Sequence, residues 1–161
     1  KNADSITIHE FKKTVYKNSR LAQKITSAIA VNLSNEGQQM INAYLRGDIA
    51  ELEKRKYYEA KNKTFEQYVA MYRIALRYCG NNSYLQHLLK VQQIYFEGIA
   101  ERMKMFGVKN NVKYLKAALS LQQRALKLEP FAPYIHNELG NLYLWNNKPD
   151  SAYYHYNQAI A

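Results

Sequence analysis

Apolar residues recur at three- and four-residue spacing along almost the whole 161-residue chain, and no stretch sustains the two-residue alternation of a half-buried strand. That periodicity admits helices and little else. The chain has 6 Gly and 3 Pro, fewer than a fold of many tight turns requires. Its length is that of one domain, and such a domain buries roughly two-thirds of the surface its unfolded form exposes. It therefore needs no covalent staple. The single cysteine, Cys79, excludes an internal disulfide and a four-thiolate zinc site. No apolar run approaches the roughly 20 residues that span a bilayer.

Capping signals divide the chain into helical pieces. Thr7 with Glu10 is a capping box, so a helix is expected from there, with Ile8, Phe11, Val15, Ala22, Ile25 and Ile29 on its apolar face. Ser34, Asn35 and Gly37 are expected to loosen or end it. Met40, Ile41, Tyr44 and Leu45 then lead to a stop at Gly47, and Asp48 with Glu51 opens a highly charged helix running toward Asn62. Thr64 with Gln67 is a third capping box, predicting a helix from there to Cys79 and Gly80. Asn82 and Ser83 cap the next, which runs from Tyr84 to Phe106. Asn110 and Asn111 start another that stops before Pro130. A last pair is predicted from about Pro133 to Trp145 and from about Pro149 onward. The implied fold is all-α, a run of antiparallel helix pairs joined by short turns.

The spacing of Leu139, Gly140, Tyr143, Ala152, Tyr156 and Ala159 resembles the tetratricopeptide repeat. Counted from Pro133 in a 34-residue unit, all six fall on slots that the family fills with these residue types. In such a unit the small residues Gly140 and Ala152 let two helices approach, Ala159 packs on the next repeat, and the tyrosines fill between helices. His136 departs from the pattern, standing where a large apolar residue is usual. One unit earlier, Ala118, Ala125 and Pro130 keep register. The helix before them does not, and Gly98 is the better candidate for its close-approach residue. From Ala75 to Ala125 is 50 residues against 34 from Ala125 to Ala159, which predicts an elongated repeat followed by a regular one. The division expected is 1–62 as divergent N-terminal helices, 63–132 as elongated repeat-like helices and 133–161 as a regular repeat, all one continuous domain. The fold implied is a right-handed α-solenoid. Because the sequence stops inside a repeat, it is expected to belong to a longer chain, and an uncovered edge of the last hairpin is a candidate for self-association.

In that family the first helix of each repeat lines a groove for peptides or partner surfaces. The resemblance assigns Tyr134, Asn137, Glu138, Asn141, Leu144 and Trp145 to it. Asn137 and Glu138 stand where a carboxylate-clamp repeat has Lys and Asn or Arg, so that clamp is not expected. Trp145 is the candidate interaction anchor.

Charge supplies a second candidate. The chain carries 23 Lys and Arg against 13 Asp and Glu, or +10. Residues 67–132 hold ten basic and three acidic groups, whereas 133–161 hold one and two. Lys13, Lys17, Arg20 and Lys24 form a stripe that could meet phosphate or an anionic surface. Nothing points to catalysis. His9, His87, His136 and His155 are scattered one per helix without metal-ligand spacing, and no phosphate loop, nucleophile elbow or dinucleotide fingerprint occurs. No cofactor is implied. The expected function is a non-catalytic scaffold for a protein or peptide partner. Two alternatives stand beside it: the regulatory arm of a larger signalling enzyme, a peptidase or nucleotide hydrolase, and a basic nucleic-acid-binding module.

Overall fold

The computed structural model describes residues 20–47, 49, 58–106, 108–109 and 111–161, and among these the only regular structure is helical. Six helices follow one another: α1 (Arg20–Leu45), α2 (Tyr58–Tyr78), α3 (Ser83–Met103), α4 (Val112–Leu128), α5 (Pro133–Trp145) and α6 (Pro149–Ile160). Each packs on the next, and α1 also packs on α3. The starts of the helices expected at Thr7 and at Asp48, and Lys13 and Lys17 of the basic stripe, lie outside the described residues.

Two expectations are corrected. Helix α1 does not break at Ser34–Gly37 but runs through to Leu45, because Ser34 and Gly37 face inward. Ser34 Oγ donates to Gln92 Oε1 at 3.0 Å, and Gln92 Nε2 returns a bond to the Ser34 carbonyl at 3.0 Å. Gly37 lies under the Tyr72 hydroxyl, where any Cβ would collide with it. Helix α2 does not start at Thr64; it is already helical at Tyr58. No Gly or Pro stands between Tyr58 and Gly80 to end a helix there, so the Thr64–Gln67 pattern lies inside it.

Other boundaries follow local chemistry. Asn82 caps α3, its side chain accepting from the Leu85 N–H at 3.0 Å. Pro133 and Pro149 occupy the first turns of α5 and α6, where a missing N–H costs nothing. Between those helices Asn147 takes a φ of 54°, the left-handed turn that asparagine tolerates better than most side chains.

Helix α3 is the centre. Its residues Val91, Gln92, Gln93, Ile94, Tyr95 and Phe96 are buried in succession, so it is covered on all sides. Phe96 is stacked by Phe65, Tyr68 and Tyr72 from α2, while Tyr95 meets Tyr134 of α5 edge-on at 4.9 Å. Gly98 lets α4 close in, since a Cβ there would strike the buried Gln122 side chain, which donates to the Tyr95 carbonyl at 3.0 Å. The six repeat-packing positions sit at the α5–α6 contact or beside it. Leu139, Gly140 and Ala152 are buried; Tyr143, Tyr156 and Ala159 are half-buried, with the Tyr156 ring lying over Gly140.

Candidate interaction site

The six residues assigned to a groove all belong to α5, and its packing separates them. Tyr134 is buried against Tyr95, and burial pushes its phenol pKa well above the usual range, so it is neutral. Glu138 is fully buried. Its Oε1 lies 2.6 Å from Arg102 Nε of α3, an ion pair shielded from water on both sides. Neither the carboxylate oxygens nor Arg102 Nε and Nη2 complete an aligned hydrogen bond among the described residues, so the contact is ionic in character. Asn141 is half-buried and fully engaged. It donates Nδ2–H to Tyr44 Oη of α1 at 2.9 Å and accepts from Tyr156 Oη of α6 at 2.8 Å. Asn137 is half-buried.

Leu144 and Trp145 remain exposed, at 54% and 43%. Both sit at the C-terminal end of α5, beside the turn that follows α3. Phe106 meets the Trp145 ring edge-on at 5.5 Å and 88°, and the Arg102 guanidinium carbon stands 5.4 Å from the ring centroid. Arg102 thus has two partners. Its ion pair with Glu138 holds the guanidinium where it also meets the indole, which fixes the half-exposed Trp145 in one orientation. The last turn of α1 approaches this end through Tyr44, and its neighbour Leu45 is exposed at 42%.

A second feature was hidden in the sequence. Helices α2, α3 and α4 enclose an open groove of about 610 Å³, floored by Ala100 and walled by Val69 and Leu121. Its charges are cross-linked: Arg73 pairs with Glu97 at 2.7 Å, and Lys104 with Glu101 at 2.7 Å and Glu66 at 3.3 Å. Partial burial works against the Lys104 charge, but the hydrogen bonds and charges of Glu101 and Glu66 outweigh it and raise the pKa above that of an ordinary lysine. This wall therefore stays a cation at any physiological pH. Arg124, also on the wall, has no ion pair among the described residues.

The histidines are not all scattered. His136 of α5 and His155 of α6 meet Nδ1 to Nδ1 at 2.9 Å, while His136 Nε2 lies 2.9 Å from the Pro130 carbonyl. A carbonyl only accepts, so His136 carries its proton on Nε2 and its Nδ1 accepts from His155 Nδ1–H. Burial, with the neighbouring His136, lowers the His155 pKa. His87 pairs instead with Glu129 at 2.8 Å on the surface, and His9 lies outside the described residues. Among the described residues no group of three or more His, Cys, Asp or Glu side chains is placed to hold a metal, and no helix is long and apolar enough to cross a membrane. Cys79 is buried. Of the N-terminal stripe, Arg20 opens α1 and Lys24 is exposed.

No family model matches this chain, and no curated protein or solved structure does so either.

Proposed function

We propose that this chain is a non-catalytic protein-interaction module, a right-handed stack of the helix pairs α1/α2, α3/α4 and α5/α6 similar to tetratricopeptide repeats. Support for the stack comes from the order of packing and from two close approaches at glycine, Gly140 beneath Tyr156 and Gly98 beneath Gln122. The partner is a protein or peptide, held at the end of α5. One observation carries this: Trp145 is 43% exposed yet braced by Phe106 and Arg102, so an aromatic anchor is presented in a fixed orientation with little ordering entropy left to lose. Glu138, through Arg102, and Asn141 support that end from within, and Leu144 widens its apolar surface.

The test places a photo-crosslinking side chain at Leu144 and exposes the protein to lysate of the cells that express it. A discrete protein adduct is expected, and it should be lost when Trp145 is also replaced by Ala. Adduct formation indifferent to Trp145→Ala, with helicity unchanged, removes this corner from the interface.

A further inference from the structure

The surface of α4 differs in kind from every other described helix surface. The helix contains Lys113, Lys116, Arg124 and Lys127 and no acidic residue. At about 100° per residue, these four with Ser120 and Gln123 fall within an arc of roughly 100°, opposite the buried Leu115, Ala118, Gln122 and Ala125. All six are exposed. Three of the cations elsewhere are answered, Arg73 by Glu97, Arg102 by Glu138 and Lys104 by two glutamates. The four on α4 have no ion pair among the described residues. They extend over about 21 Å at 1.5 Å per residue, a line of like charge that an external polyanion would neutralise.

The two borders of this line differ. On one side lies the groove with Glu66, Glu97 and Glu101, which disfavours further negative charge. On the other an aromatic ladder begins. Gln123 Nε2 donates to Tyr143 Oη at 2.8 Å, the Tyr143 ring stacks on His155 at 5.3 Å and 6°, and Tyr154 meets His155 edge-on at 5.1 Å. Tyr154 is 57% exposed. The face between the cations offers only Ser120 and Gln123, so a protein partner would find no apolar core there. A polyanion needs none, and one with aromatic bases gains from the ladder.

We infer that α4 and the Tyr143–His155–Tyr154 ladder form a binding surface for single-stranded nucleic acid, phosphates on Lys113, Lys116, Arg124 and Lys127 and bases toward Tyr154. This surface is distinct from the α5 corner and does not depend on it. Recognition by it is electrostatic and by stacking, without base-edge readout.

Fluorescence anisotropy of the whole chain with a labelled 20-nucleotide oligothymidylate tests it. Four phosphate contacts to a single strand give a log–log salt slope of about −3, which is roughly a fifty-fold loss of affinity between 50 and 200 mM salt. Replacing all four α4 cations by Ala should abolish binding at 50 mM. Replacing Lys24, Arg77 and Lys148 by Ala, which removes charge elsewhere, should cost far less. Tyr154→Ala should weaken binding about tenfold. Three results overturn the inference: no binding at 50 mM, equal losses in the two alanine sets, or a polyglutamate chain or anionic vesicles competing as well as the oligonucleotide while Tyr154→Ala changes nothing.

Discussion

Arg102 and Glu138 form a water-shielded ion pair, 2.6 Å apart, that joins the centre of the molecule to the helix presenting the half-exposed Trp145. Two ions taken out of water each cost several kcal/mol, and their mutual attraction offsets this only while both are present. The same guanidinium stands against the Trp145 ring. One side chain therefore serves both the packing of α3 on α5, alongside the Tyr95–Tyr134 contact, and the orientation of Trp145.

The first prediction concerns that dependence. Arg102→Met leaves a buried carboxylate without its counter-ion and should cost about 3–5 kcal/mol. Pairing it with Glu138→Met removes the second charge and should recover most of the loss, although either substitution alone is damaging. Urea unfolding of the two single variants and the double variant checks this. A double variant as unstable as the sum of the singles would show that the charges are independent.

A close approach gives the second. Gly98→Ala puts a methyl group into the Gln122 side chain, which is fully buried and tied to the Tyr95 carbonyl. Overpacking of this kind typically costs 1–3 kcal/mol. In a Gln122→Ala background the added methyl finds space, so its cost there should fall clearly below its cost in the parent. Thermal unfolding of the four proteins closes the cycle.

How much of this was legible beforehand depends on where the deciding contact lies. Periodicity gave the helical class, and the starts of α5 and α6 were readable because Pro133 and Pro149 act on their own backbone. Gly37 was misread as a helix breaker because its reason is the Tyr72 hydroxyl on another helix. Likewise Thr64 and Gln67 carry a capping pattern that the helix overrides, since nothing near them ends it. Of the candidate site, the resemblance put Leu144 and Trp145, which are exposed, in one groove with Tyr134 and Glu138, which are buried. The placement of Glu138 was not legible, because its burial is decided by Arg102, whose charge reads in sequence as one more surface cation. The α2–α3–α4 groove and the His136–His155 contact arise only from tertiary packing, and no spacing rule marks them.

Acid should weaken the α5–α6 hairpin. His155 has a folded pKa below its ordinary value of about 6.5, so the unfolded chain takes up a proton there that the folded chain resists. Above that value the group contributes nothing to pH dependence. As pH falls below it, stability declines until the folded pKa is passed, and then levels off. The groups facing His155 are His136, Tyr143 and Tyr154, none of them a carboxylate that would hold the cation. Melting temperatures from pH 7.5 to 5 should therefore fall more steeply for the parent than for His155→Gln. Parallel curves would remove His155 as the cause.

Because Trp145 is the chain's one tryptophan, its fluorescence reports on the proposed interface without any label. At 43% exposure it should be quenched by acrylamide to a degree between that of a buried and that of a free indole. Arg102→Met removes the cation from the ring and should raise that quenching, because the indole is freed to move. A partner that docks on the α5 corner must bury the ring, so titration should shift emission to shorter wavelength and suppress quenching in step with binding. An oligonucleotide bound along α4 should leave both signals unchanged, since none of the α4 cations is among the side chains that brace the indole. Two ligands with separate optical signatures would establish two surfaces, and a partner that binds without altering Trp145 would place the protein interface elsewhere on the molecule.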